Sequence, residues 1–309
     1  MDKLISTLQV ITPIFTVIFL GVFARRKNIV TEDGVKGLQQ FVMSFCLPCV
    51  LFNSCLGCTF GTESVTSFAL LVPALLCSCL LGFRLRKKRY PYHNFPFLFT
   101  AQESGMLGIP LFMTLFGAEQ AYRMGILDMA QAFIAIPVLA LLSASPAENP
   151  TPAAIVKRVF RSPLLIMSLL ALGLNLSGFA AWLDNIGIGG IITETTGFLA
   201  APVSAVMLFS VGYNFSLGDG SRGLIFRACA LHLAVIGLIC VLIQGALFLV
   251  PSVDSATRWA VALYCALPTS FLAPSLGRNA DDAALASGVC SVLTVLCLAV
   301  FCVMTVMVA

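Results

Sequence analysis

The sequence predicts an all-α polytopic membrane protein with ten transmembrane helices. They form two inverted five-helix repeats, with proline-broken crossover helices at the fourth and ninth spans. Three observations predict it. Hydrophobic residues make up 59% of the 309 positions and charged residues 10%, and apolar runs repeatedly reach the roughly 20 residues that a bilayer-crossing helix needs. The two halves share a hydropathy pattern, each with a proline deep inside its fourth apolar run, Pro110 and Pro268. The basic residues gather in alternate loops.

Apolar runs between charged or turn-rich breaks place the spans at 5–24, 36–56, 66–83, 95–117, 122–143, 163–180, 190–215, 224–250, 257–276 and 284–308. The first run follows only Lys3 among basic residues and precedes no small-residue cleavage signature, so it reads as a retained helix. The loops after spans one, three, five, seven and nine, with their helix ends, hold 15 of the 18 basic residues, leaving Lys3, Arg123 and Arg258 to the other side. The positive-inside rule then puts both termini outside. An odd number of helices per half makes the second half enter the membrane from the opposite side, the condition for an inverted repeat. Pro268 follows Pro110 by 158 residues, and the sixth span starts the same distance after the first. The expected division is a first repeat over 1–143, a short cytoplasmic linker over 144–162, rich in proline and small residues and then basic, and a second repeat over 163–309.

Proline in a helix interior removes a backbone hydrogen bond and clashes with the preceding turn. In a membrane the freed groups must face protein or a water-filled cavity. The fourth span reads QESGMLGIPLFMTLFG, with Gly105 and Gly108 before Pro110, and the ninth reads ALPTSFLAPSLG, with Pro268 and Pro274 around Thr269 and Ser270. Both segments have the composition of helices that unwind. A broken helix presents free N–H groups at one half-helix start and free carbonyls at the other half's end, so two crossing breaks form one mid-membrane binding site. Pro48 and Pro202 form a second matched pair with thinner polar company, Asn53 and Ser54 in one span and Ser204 and Ser210 in the other. These read as kinked scaffold helices.

Acids within membrane spans are functional-site candidates by default. Glu103 opens the fourth span, and Asp128 lies in the fifth with Gln131 one turn on. Protonated, Glu103 donates a hydrogen bond to a carboxylate substrate; alternating between charge states, it couples proton movement to transport; in a wet vestibule it is simply a solvated charge. His232 sits on an apolar stretch of the eighth span, and with His93 as the other histidine it reads as a packed interface residue rather than a metal or relay site. The 12 cysteines lie almost all inside apolar spans, where they behave as small apolar residues. Cys46, Cys49, Cys55 and Cys58 spell two C-x-x-C pairs, but a helical path spreads the four sulfurs over about 18 Å, so no metal and no cofactor is expected. There is no H-E-x-x-H, G-x-S-x-G or P-loop, which argues against an enzyme. Repeated charged or carbonyl-rich filter sequence, which a channel would carry, is absent.

The segments GMLGIPLFMTLFG at 105–117 and ALPTSFLAP at 266–274, supported by TPIFTVIFLGVFARRKNIV at 12–30 and FVMSFCLPCVLFNS at 41–54, resemble the auxin efflux carrier family. The resemblance covers nearly the whole chain, without the long cytoplasmic loop of many plant members. It implies a scaffold of spans one, two, six and seven, and a mobile transport domain of spans three, four, five, eight, nine and ten. It also implies elevator-like or rocking alternating access, small carboxylic acids as substrates, export as the direction, and a dimer through the scaffold. Where plant members typically carry a neutral Asn near the start of the fourth-span crossover, this chain has Glu103, whose charge opposes an anionic substrate.

The combined expectation is a secondary transporter of a small organic carboxylate in the plasma or inner membrane, with protons or sodium as coupling ions and no nucleic-acid partner. The candidate substrate-binding residues are Gln102, Glu103, Ser104, Pro110, Pro268, Thr269, Ser270 and Asn53, and the candidate coupling residues are Glu103 and Asp128. The alternative is a cation or proton antiporter with Glu103 as the ion ligand.

Overall fold

The structure, a computed structural model, describes residues 2–57, 61–143, 151, 161–215, 221–250 and 253–308. Most of the expected linker over 144–162 falls outside the described residues, as do Cys58, Lys157, Arg158 and the Gly218 to Gly220 turn. Helices dominate the described chain: α1 (Asp2–Arg26), α2 (Glu32–Phe41), α3 (Leu47–Leu56), α4 (Thr62–Lys88), α5 (Ile109–Phe116), α6 (Ala121–Ser143), α7 (Pro163–Leu176), α8 (Phe179–Asn185), α9 (Ile188–Ala200), α10 (Val203–Asn214), α11 (Arg222–Phe248), α12 (Ser255–Ala266) and α13 (Ala280–Val308).

Among the described residues, seven helical stretches are long and apolar enough to cross a membrane: Thr7–Arg26, Glu32–Leu56, Thr62–Lys88, Ala118–Ser143, Ile188–Asn214, Arg222–Phe248 and Ala280–Val308. An eighth is reached if α7 and α8, bent by 77° at their junction, count as one. The bend falls at Gly178, whose φ of +73° suits a residue without a Cβ. The stretches expected as proline-broken fourth and ninth spans are not continuous helices. Each is a short helix joined to an extended break, so neither passes as a full-length helix.

Proline by itself does not cause these breaks. Pro13, Pro73 and Pro137 lie inside α1, α4 and α6, which run on through them. Pro48 and Pro110 each follow a five-residue π-helical turn, Val42–Cys46 and Ser104–Gly108, whose wider winding accommodates the missing N–H. Pro110 is therefore within a helical segment, and the unwound residues before it are 101–103. Pro202 sits in the turn between α9 and α10, where the α winding is interrupted.

Packing follows from small residues where backbones meet. α1 and α10 touch along their lengths, and a Cβ added at Gly21 or Gly212 would fall on the Phe209 or Ile18 carbonyl of the opposite helix. Such close approach is the usual way membrane helices gain contact. Phe112, Met124, Met207, Leu263 and Phe301 form one buried core with Leu47 and Leu71, and a second core surrounds Phe95, Phe97 and Phe99. Phe19, Phe198, Leu242 and Val303 point outward, part of an exposed apolar surface suited to lipid.

Two polar ties hold the broken segments at their ends. At one end Arg123 of α6 pairs with Asp254, the N-cap of α12, at 2.6 Å, and bonds to the Thr257 hydroxyl and to Gln120 Oε1 at 2.8 Å. At the other end Asn94 Nδ2 donates to the Ala273 and Asp282 carbonyls at 2.9 and 2.8 Å, while Asp282 accepts from the His93 and Arg278 amides at 3.2 and 2.9 Å. His93 Nε2 meets the Leu142 carbonyl at 2.9 Å and its Nδ1 meets Arg86 at 3.0 Å, which makes Nδ1 the acceptor and Nε2 the donor. The two breaks between these ties are thereby held side by side.

Candidate binding site at the crossing of two broken helices

The breaks cross as a minimal antiparallel pair. Gln102 and Thr269 form the β-bridge, the Glu103 amide donates to the Pro268 carbonyl at 2.9 Å, and the Ser270 amide donates to the Ala101 carbonyl at 2.9 Å. Backbone groups that leave a helix inside an apolar protein must find partners. Here each break supplies them to the other, and Pro268, with no N–H of its own, contributes only the acceptor that Glu103 needs.

Gln131 of α6 completes the arrangement. Its Oε1 accepts from the Gln102 amide at 2.6 Å and from the Tyr264 hydroxyl at 2.7 Å, and its Nε2 donates to the Gln102 carbonyl at 3.0 Å and to Ser104 Oγ at 3.3 Å. One carboxamide thus satisfies both backbone groups of the residue at the centre of the crossing. The Ser104 hydroxyl donates to Asp128 Oδ1, one helical turn before Gln131. Glu103 Oε2 accepts from the Phe271 amide at 2.6 Å.

A cavity of about 820 Å³ opens beside the crossing, with Gln102, Glu103, Ser104, Asp128, Gln131 and Ser270 in its wall. It extends to the ends of α1, α2 and α10, marked by Arg25, Lys36 and Asn214. The volume is in the range of small-ligand sites. Both basic side chains of its lining are engaged at that far end: Arg25 donates to the Tyr213 and Phe215 carbonyls at 3.3 and 3.1 Å, and Lys36 pairs with Glu32 at 2.7 Å. The carboxylates of Glu103 and Asp128 therefore share their stretch of wall with amides and hydroxyls. The Gln102 side chain is 2% exposed, and neither its Nε2 nor its Oε1 has a hydrogen-bond partner. A buried amide costs free energy until something meets its donor and its acceptor.

The structure brings together Gln102, Glu103, Ser104, Pro268, Thr269, Ser270 and Asp128 of the residues expected from sequence. Pro110 is buried below them in the helical segment and is not in the cavity wall. Asn53 is elsewhere: its Nδ2 donates to the Thr193 carbonyl at 3.4 Å and its Oδ1 accepts from the Thr196 hydroxyl at 2.5 Å, joining α3 to α9. Gln131 and Tyr264 take part in the crossing although sequence reasoning did not place them in the site. Gln131's place one turn from Asp128 on the same helix was the available signal; Tyr264, in an apolar stretch of α12, gave none. His232 is buried, with Nδ1 donating to the Leu98 carbonyl at 2.8 Å, and so helps fix the segment leading to the crossing. Among the described residues no group of three or more His, Cys, Asp and Glu could hold a metal ion.

A family model described as membrane transport protein matches residues 6–307. The chain belongs to this family. This is the auxin efflux carrier, or PIN-like, family of membrane transport proteins, so the multi-pass architecture and the transport role rest on the whole length of the chain and not on the crossing segments alone. No curated protein matches it.

Proposed function

We propose that this member of the family is a secondary transporter of a small organic carboxylate, acting as an exporter by elevator-like alternating access, with substrate held where the two breaks cross. The observation that carries the reading is the crossing itself. Paired backbone breaks, hydroxyls of Ser104 and Ser270 and an unpartnered Gln102 amide border a cavity of about 820 Å³. Half-helix amides and hydroxyls suit a carboxylate, and a carboxamide with both groups free suits a carboxyl group in either protonation state.

In this reading the seven long helices, the bent pair of α7 and α8, and the two broken segments are ten crossings, arranged as inverted repeats over 1–143 and 163–309. Both termini lie outside the plasma or inner membrane, and the cavity, which reaches the Arg25 and Lys36 helix ends, opens to the cytoplasm. The protein loads from inside in this state. Spans one, two, six and seven are the scaffold, through which two copies associate.

A second reading has its own support. Glu103 and Asp128 border the same cavity while its basic side chains are engaged at the far end. That composition suits a cation or proton antiporter with Glu103 as ion ligand, and a carboxylate carrier coupled to protons or sodium through the same two acids. Transport currents from proteoliposomes on a capacitive membrane sensor separate them. Saturable currents with particular organic acids, lost in Pro268→Ala, support the carboxylate carrier. Currents from sodium or pH jumps alone, with none from acids, refute it in favour of the antiporter.

A further inference from the structure

The Glu103 carboxylate is not directed into open water. Its Oε2 accepts from the Phe271 amide in the other break at 2.6 Å. A backbone amide freed where a helix unwinds is the kind of donor by which such a crossing holds an organic anion. Glu103 is 7% exposed and lines the cavity, so its carboxylate stands between the Phe271 amide and anything entering. Immediately beside it the Gln102 amide is buried with donor and acceptor both unmet, although the backbone around it is fully bonded. The crossing thus has one recognition group satisfied by its own side chain and another left over.

We infer that Glu103 is a resident anion: its carboxylate occupies the seat at the Phe271 amide that a substrate carboxylate takes during transport, and loading requires that Glu103 leave it. The inference deepens the carboxylate reading and rests on it only for the identity of the natural ligand; the occupied seat itself is a matter of geometry. Glu103 is then a specificity-determining residue. A weak monocarboxylate does not displace a tethered competitor, because Glu103 is present at a high effective concentration. A substrate that also satisfies Gln102 gains a second interaction for the exchange. The displaced Glu103 carboxylate has the cavity and its water to enter.

The test is chemical rescue on the purified full-length protein. Thermal unfolding is followed with increasing sodium formate or sodium acetate, against sodium chloride at equal ionic strength, for wild type, Glu103→Ala and Glu103→Gln. Glu103→Ala leaves the Phe271 amide without its partner and lowers the unfolding midpoint. Formate then raises that midpoint saturably, as a ligand of the folded state must. Wild type shows no saturable formate shift, its seat being filled. In Glu103→Gln a neutral carboxamide holds the amide less strongly, so formate shifts its midpoint at concentrations several-fold higher than in Glu103→Ala.

No formate effect beyond chloride in Glu103→Ala, or an equal shift in wild type, overturns the inference. Should Glu103→Ala not fold, Glu103→Gln and Glu103→Asp carry the test, the shortened acid no longer reaching Phe271. Absence of a saturable shift in both is then the refuting result. Failure of the carboxylate reading is a separate observation: wild type would give no current with any organic acid, whether or not formate fills the vacated seat.

Discussion

Replacing Gln131 by Leu is expected to disable the crossing while leaving the surrounding helices in place. The side chain is the hydrogen-bond partner of the Gln102 amide at 2.6 Å and of the Tyr264 hydroxyl at 2.7 Å, and it also donates at 3.0 Å to the Gln102 carbonyl, which accepts from the Ser104 amide at 2.9 Å as well. Each buried polar group left unsatisfied costs about 1–3 kcal/mol. Water from the adjoining cavity replaces part of what is lost, so the expected destabilisation is about 2–4 kcal/mol for the Gln102 amide and the Tyr264 hydroxyl together. Since about 1.4 kcal/mol corresponds to a factor of ten in an equilibrium, an ordered crossing becomes at least roughly 25-fold rarer, and transport falls by a similar factor. Gln131→Glu is the informative companion. Its carboxylate still accepts from the Gln102 amide and Tyr264 but no longer donates to the Gln102 carbonyl, which keeps the Ser104 amide, so it is expected to lose about 1 kcal/mol. Unfolding midpoints in detergent and initial transport rates in proteoliposomes give both quantities. A Gln131→Leu protein with unchanged midpoint and rate would refute the argument that this carboxamide holds the crossing.

Two further substitutions probe the surroundings. Arg123→Met removes the tie to Asp254, Thr257 and Gln120; because the Asp254 side chain is 47% exposed, the ion pair is discounted for solvent, and the expected loss is about 1–3 kcal/mol. Asp254→Asn added to Arg123→Met should then cost less than Asp254→Asn alone, and strict additivity of their midpoint shifts would contradict the pairing. Asn53→Leu, which breaks the link to Thr193 and Thr196 away from the cavity, is expected to lower stability by about 1 kcal/mol while leaving the apparent KM unchanged. A KM raised several-fold with normal stability would return Asn53 to the binding site.

Much of the helical layout was legible because hydropathy acts locally. A run of about 20 apolar residues in lipid has few options besides a helix, so α1, α4, α6, α11 and α13 fall close to their expected positions. The crossing residues were legible in part, because proline and glycine beside hydroxyls and an acid mark a helix that unwinds. The register of the breaks was not. Pro110 suggested unwinding at its own position, yet the helix absorbs it in a π-helical turn and opens instead at 101–103. Several turns tolerate proline locally, and which one yields depends on the partner across the crossing.

By itself, the sequence determined that this is a helical, multi-pass membrane protein of a transporter family, and it pointed to two interrupted spans as the candidate site. These follow from composition and short-range pattern. Only the tertiary structure decided that Gln102 pairs with Thr269, that Gln131 and Tyr264 complete the crossing, that Glu103 rests on the Phe271 amide, and that Asn53 belongs elsewhere. Those contacts join residues up to 168 positions apart. Hydrogen bonds depend on distances of a few tenths of an ångström between such residues, and no local periodicity encodes them.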